Sequence, residues 1–229
     1  MQRYLFSGSS LKNKRPSNMD SLLLKCRTIE NKAALLTVVC DGVGSLADGA
    51  FASGTAVRML NDWFDQVNCA DRIGLRLRDE ILVINTQIAA LAEEYSFQTA
   101  STLSALLLID GTYSMVHIGD SRIYMYDKDL SILTKDDVAE NGKLCAYIGR
   151  PGTILLQYGE GNAEGRSFLV CSDGLYKRAA DDLIAKKMQV SNNRMVKAAV
   201  KALARHAIEQ GENDNISLAL VKMEVPSRR

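Results

Sequence analysis

The chain is poor in histidine, poor in proline and without any paired-cysteine motif, and each shortage removes a class of chemistry. Only two histidines occur in 229 residues, His117 and His206, and they are isolated in sequence. A Ser-His-Asp triad or a Cys/His zinc site has little to draw on. The cysteines, Cys26, Cys40, Cys69, Cys145 and Cys171, are odd in number and form no CxxC pair. Cys40 and Cys171 fall in apolar, strand-like runs, where a thiol behaves as a small buried hydrophobe. All five are expected to be reduced thiols of a cytoplasmic protein. The three prolines, Pro16, Pro151 and Pro226, mark no linker, and no repeat or low-complexity tract divides the chain. Residues 1–229 are therefore read as a single domain. No apolar run is long enough to cross a bilayer, and the N-terminal MQRYLFSGSS lacks the apolar stretch of a secretory signal. An excess of one charge is missing too. The 28 basic and 27 acidic residues leave a net charge of +1, with no basic, aromatic-interleaved patch to draw nucleic acid or an anionic membrane. Chemistry, if any, must run on carboxylates.

What is present is an ordinary globular composition, 47% apolar and 24% charged, on a chain long enough for a sizeable core. Apolar runs at 20–26 and 34–40 predict buried strands joined by a polar turn at Glu30, Asn31 and Lys32. From Ala47 to Val67, and again over 71–95, apolar residues recur at three- and four-residue steps and predict two long helices. Short strands are expected at 101–109, 113–118, 122–126 and 131–134. A weakly patterned stretch over 135–152 reads as a loop with room for one short helix. Strands at 153–157 and 166–171 follow, then helices at 180–188 and 192–209, and a closing strand at 216–223. Met188 and Met195 are assigned to the core. Runs of strands and runs of helices, without strict alternation, predict an α+β fold of two packed sheets with helix pairs outside.

Four Asp-Gly pairs occur, and they differ in placement. Asp110-Gly111 lies between two strands and reads as a hairpin turn. Asp48-Gly49 falls inside a helical pattern and reads as solvated. Asp41-Gly42 and Asp173-Gly174 each follow an apolar strand, LLTVVC and FLVCS, so a carboxylate is delivered from a rigid element to the sheet edge. Asp20 opens a strand, Asp120 lies between two, and Asp214 precedes the last. Five aspartates at strand ends are what a cluster of hard cations requires, since Mg²⁺ and Mn²⁺ prefer oxygen ligands. Such carboxylates cannot converge without cations, because like charges repel. Ser101 and Thr102 read as buried hydrogen bonders, His117 as a packed strand residue, and Asn215 as a brace for the Asp214 loop.

These residues occur in short motifs of recognisable order: Arg15-x-x-Asn18-x-Asp20, Val39-Cys40-Asp41-Gly42-Val43-Gly44, Ala100-Ser101-Thr102, Gly119-Asp120-Ser121-Arg122-Ile123-Tyr124, Leu169-Val170-Cys171-Ser172-Asp173-Gly174-Leu175 and Asp214-Asn215-Ile216-Ser217. Together they resemble the PPM family, the metal-dependent type 2C protein serine/threonine phosphatases, the smaller bacterial members above all. The resemblance implies a four-layer α-β-β-α sandwich of two antiparallel sheets. It implies hydrolysis of phosphoserine and phosphothreonine by a metal-activated bridging water, with two Mn²⁺ or Mg²⁺ ions and a third left open. It places Asp41 across both ions, Asp173 and Asp214 at the first, the Gly42 carbonyl and nearby Asp20 at the second, and Asp120 with Asp173 at the third. Arg15 would clamp the phosphate. The implied partners are phosphorylated proteins and an opposing serine/threonine kinase, for a monomeric enzyme.

Three positions depart from the family pattern. Ser45 stands where a second glycine is common, and Val43 where many eukaryotic members carry histidine. The flap segment, about 135–150, is shortened, which opens the site and weakens selection of substrate. The alternatives are a catalytically weak or inactive module of the same fold that binds a partner or phosphoprotein, and an unrelated metal-dependent hydrolase of small phosphoesters.

Overall fold

A computed structural model describes residues 3–44 and 48–225. The elements in chain order are β1 (Tyr4–Leu11), β2 (Asp20–Ile29), β3 (Lys32–Asp41), α1 (Gly49–Gln66), α2 (Ile73–Glu94), β4 (Leu103–Ile109), β5 (Thr112–Ile118), β6 (Arg122–Tyr126), β7 (Leu130–Ile132), β8 (Gln157–Asn162), β9 (Ser167–Cys171), α3 (Asp173–Tyr176), α4 (Asp181–Met188), α5 (Asn193–Glu209) and β10 (Ile216–Met223). Two five-stranded antiparallel sheets result, ordered β1-β10-β9-β6-β7 and β2-β3-β4-β5-β8. This is the expected α+β class.

Three apolar clusters define four layers. Leu36, Val38 and Cys40 of β3 and Leu103, Ala105 and Leu107 of β4 pack on Leu60 and Phe64 of α1 and Leu77, Ile81 and Ile84 of α2. Leu169 and Cys171 of β9 and Leu218 and Leu220 of β10 pack on Val196, Val200 and Leu203 of α5. Between the sheets, Leu35, Val39, Leu106 and Leu108 meet Ile123, Phe168, Val170 and Val221. Strand side chains alternate between faces, so each inner strand feeds both a helix layer and the seam.

Turn chemistry sets the registers. Glu30 and Asn31 (φ 47° and 64°) close the β2–β3 hairpin, and Asp110 and Gly111 (φ 51° and 80°) close β4–β5, as the left-handed residues of tight hairpins do.

Several expectations shift. β1 escapes the apolar pattern: its FSGSS run is small and polar, yet it pairs along its whole length with β10. The strand expected at 153–157 lies later, as β8, whose Gly159 and Gly161 lie against Met115 and Tyr113 of the neighbouring strand. The loop at 135–152 holds no helix, only isolated bridges from Val138 to Leu144 and from Ser101 to Ile148. Asp48 is exposed and precedes α1 rather than lying within it. Met188 is fully buried, but Met195, near the start of α5, is 41% exposed and is not core. Ala47, Ser45 and Pro226 lie outside the described residues. The five cysteines are all free, with Cys40 and Cys171 buried.

Candidate metal centre

The inter-sheet seam ends in a cavity of about 370 Å³, and the strand ends supply its polar wall. Asp41, Gly42, Asp120, Asp173 and Asp214 line it together with Arg15. Asp20 does not line it; it sits behind, 6% exposed, directly opposite Asp41 in the β2–β3 register. All seven residues singled out in the sequence are thus brought to one end of the sandwich, six of them to the cavity itself.

Local packing explains the placement. The Asp41 N–H donates to Thr102 Oγ1 (3.0 Å), while the Asp41 carbonyl accepts from Thr102 N (2.9 Å) and Ser101 Oγ (3.0 Å). Thr102 Oγ1 lies 2.7 Å from Ser121 Oγ, which ties the Asp41 strand end to the Asp120 turn. Ser101 and Thr102 are therefore buried hydrogen bonders, as read. Gly42 is required by close approach: a Cβ there would lie 2.4 Å from the Gly49 carbonyl oxygen and 2.7 Å from that of Met19. Gly174 is the corresponding contact on the other sheet, where a Cβ would lie 2.0 Å from the Asn215 carbonyl oxygen. That contact holds the residue after Asp173 against the loop that carries Asp214. Asn215 braces the loop as expected: its Nδ2 donates to the Lys12 and Ser17 carbonyls and its Oδ1 accepts from Met19 N.

The electrostatics are those of an acid cluster short of positive charge. Withdrawal from solvent, then the charges of Asp20, Asp173, Asp120 and Asp214, hold the Asp41 carboxyl well above the ordinary range. Burial pushes Asp20 up to about 6, against hydrogen bonds that favour its ionised form, including one from Ser172 Oγ (2.9 Å). Burial and the neighbouring Asp173 bring Asp120 to about 6 as well. Asp214 goes the other way. Burial raises it, but hydrogen bonds from Arg15 and the Asn215 amide outweigh that and leave it below its usual value.

Two carboxylates have turned to cations of the chain. Arg15 forks onto Asp214, Nε to Oδ1 at 2.8 Å and Nη2 to Oδ2 at 2.6 Å. Lys177 Nζ meets Asp173 Oδ2 at 2.5 Å. Among the described residues, no three Asp, Glu, His or Cys side chains are gathered as a set that could hold an ion; repulsion and these two pairings spread the acids. Yet the donors fit hard cations. Every ligand atom on offer is oxygen, and Asp20 Oδ1 is buried with no hydrogen-bond partner, a costly state for a polar atom unless something else satisfies it. Lys177, paired with Asp173, is a side chain at the site that the sequence motifs do not include. Its signal was the four-residue spacing from Asp173 at the start of a helix.

The flap segment forms a small turn. The Ala139 amide donates to the Lys143 carbonyl (2.9 Å), Asp137 Oδ2 accepts from Gly119 N (3.0 Å), and Leu144 reaches the cavity wall. No imidazole faces the cavity from Val43, and His117 is fully buried, its Nε2 3.1 Å from the Gly119 carbonyl and its Nδ1 2.8 Å from Ser104 Oγ.

The sequence profile of the family described as Protein phosphatase 2C matches residues 8–221. A Mycoplasma genitalium protein, provisionally named a protein phosphatase, is 31% identical over 230 residues, covering 85% of this chain and 86% of that protein. Serine/threonine protein phosphatase PstP of Mycobacterium tuberculosis is 28% identical over 229 residues, which cover 90% of this chain and 42% of PstP. The crystal structure of the PstP catalytic domain with two manganese ions superposes with a TM-score of 0.80 at 26% identity, covering 98% of this chain and 100% of that one.

Proposed function

The chain belongs to the protein phosphatase 2C family, and we propose on that premise that it hydrolyses phosphoserine and phosphothreonine in proteins, using two Mn²⁺ or Mg²⁺ ions. One observation carries the reading: four aspartates from four separate strand ends face one cavity with an arginine at its wall. In this reading Asp41, Asp173, Asp214 and the Gly42 carbonyl hold the ions, with Asp20 behind Asp41. When bound, such a pair supplies positive charge for the phosphoryl oxygens and a water acidic enough to yield hydroxide near neutral pH.

The chain's own residues do the rest. Thr102 and Ser101 fix the backbone of Asp41 from both sides, so the carboxylate is held before any ligand arrives. Arg15 engages two of its five N–H donors on Asp214, and the remaining ones are available to a phosphate oxygen. Because its side chain is half exposed, it can meet an incoming phosphoprotein without opening the fold. Val43 offers no proton to the seryl or threonyl oxygen that leaves, so water or another group at the cavity must supply it. The short turn over 138–144 supports the reading of a reduced flap and an open mouth.

The free thiols support a reducing, cytoplasmic setting, and no helix among the described residues is long and apolar enough to cross a membrane. We read 1–229 as one domain, working as a monomer opposite a serine/threonine kinase, the activity that must supply its substrates. The test is phosphate release from a phosphothreonine peptide with Mn²⁺, with Asp173→Asn alongside. Metal-dependent turnover abolished by the substitution is expected. Folded, Mn²⁺-saturated protein without turnover would instead make the cavity a binding surface.

A further inference from the structure

Two cations of the chain pair with acids of the cavity wall, and they are built in differently. Arg15 comes from the loop after β1 and forks onto Asp214, at the outer wall. Lys177 caps α3 four residues after Asp173, so helical geometry carries its side chain over that carboxylate. The Lys177 side chain is 56% exposed, its partner Asp173 only 18%. The ammonium therefore reaches in from solvent, and its charge acts on Asp120, Asp41 and Asp214 as well as on Asp173.

The same helix turn fixes Asp120. The Tyr176 hydroxyl, adjacent in sequence to Lys177, donates to the Asp120 carbonyl at 2.9 Å. The Arg122 guanidinium lies 3.8 Å from the centre of the Tyr176 ring and forks onto Asp136, Nε to Oδ1 at 3.0 Å and Nη2 to Oδ2 at 2.7 Å. A stacked and doubly hydrogen-bonded guanidinium is a rigid support. Asp120, Tyr176 and Lys177 are thus parts of one assembly, and the ammonium is its only member carrying positive charge toward the cavity acids.

On the reading that this cavity holds divalent ions, we propose that Lys177 is a positioning residue: its ammonium serves the Asp120–Asp173 pair as a built-in cation and closes that pair to a divalent ion of its own. The cluster then takes two ions and no third. Charge supports the count. With all five carboxylates ionised, Asp20, Asp41, Asp120, Asp173 and Asp214 set five negative charges against the two positive ones of Arg15 and Lys177. Two divalent ions turn the deficit of three into a surplus of one, which suits a phosphoryl dianion. A third would have to settle against an ammonium already seated on Asp173, and like charges repel.

The experiment counts bound Mn²⁺ per chain by equilibrium dialysis of the full chain into the millimolar range, with circular dichroism to confirm folding. Wild type and Lys177→Arg are expected to bind two ions. Lys177→Met, which keeps length and loses charge, is expected to gain a third, with affinity for it up about tenfold or more. Lys177→Met combined with Asp120→Asn should return the count to two. Should the methionine variant not fold, Lys177→Gln carries the same expectation. A wild type that takes a third ion as readily as Lys177→Met overturns the proposal, and so does a third ion that persists without the Asp120 carboxylate. A wild type that binds no Mn²⁺ would overturn the divalent-ion reading itself, a different failure from the first two.

Discussion

The space between the two sheets has two ends built on opposite principles. At one, Leu35, Leu106, Leu108, Phe168 and Val170 interlock as a dry seam. At the other, the same strands present carboxylates. β3 shows the change within one strand face: Leu35, Thr37, Val39 and Asp41 fall at period two, so the residues that close the seam and the one that serves the cavity share a side of the sheet. β2 begins with Asp20 and continues on that face with Leu22 and Leu24, both packed against the seam. The apolar end needs nothing but itself. The acidic end sets Asp20 directly opposite Asp41, a like-charge pair that destabilises an antiparallel ladder, and it becomes favourable only when cations arrive. The seam carries the cost of the site.

The sharpest way to separate the ends is Asp41→Asn. With Mn²⁺ present, turnover should fall to background, a loss beyond the roughly 10–100-fold felt when only a metal ligand's supporting partner is disturbed. Without metal, the same substitution should raise the melting temperature. The sign follows from the carboxyl being held above its usual range. A folded-state pKa above the unfolded one means that the ionised form costs stability at neutral pH, and asparagine removes that charge. Thermal melts with and without Mn²⁺ check both halves: wild type should gain from the ion, by about 2.7 kcal/mol at a hundredfold excess over Kd, and the variant should gain far less. An unchanged metal-free melt would mean that the acidic end costs the fold nothing.

The seam is broken by Phe168→Ala. Phe168 is fully buried and its ring lies 5.2 Å from that of Tyr113 on the other sheet. Truncation should cost about 3–5 kcal/mol, read by urea unfolding. Activity per folded molecule should hold, because neither Phe168 nor Tyr113 lines the cavity. Loss of specific activity in the folded fraction would show that the two ends are coupled.

How far the sequence discloses each end follows from the same contrast. Periodicity exposed the long helices and the inner strands, because those faces are continuous and apolar. It passed over β1 and misplaced β8, edge strands made of FSGSS and YGEGN, whose pairing rests on backbone and on glycines that let neighbouring side chains lie close. The carboxylates were legible because each stands at the end of an apolar run. Lys177 is harder to read: inside YKRAADD it looks like one more solvated charge, and its four-residue spacing from Asp173 counts only once Asp173 is seen to open a helix. For Arg15 the resemblance implies a phosphate ligand, and the structure adds a partner that no spacing reveals, Asp214, nearly two hundred residues away along the chain.

The smallest effect concerns the one imidazole placed where the two ends meet. His117 lies opposite Ser104 in the β4–β5 register. Its Nε2 must donate to the Gly119 carbonyl, so its Nδ1 accepts from Ser104 Oγ. It therefore holds the turn that carries Asp120. Burial lowers its pKa, against the opposing pull of Asp137, the Gly119 carbonyl and Asp136. A base whose folded-state pKa is depressed contributes stability that is complete above the unfolded value, about 6.5, and lost as pH falls through the folded one. Asp20 and Asp120, both raised to about 6, have the opposite slope over the same range, since protonating them relieves the metal-free fold. The two trends should cancel in part in metal-free wild type and separate once Mn²⁺ is bound. In that state melting temperature should decline as pH drops below 6.5, and His117→Gln, which keeps a donor toward Gly119, should flatten the decline while leaving turnover at pH 8 nearly intact. An equally steep decline in the variant would move the acid sensitivity from this imidazole to the carboxylates beside it.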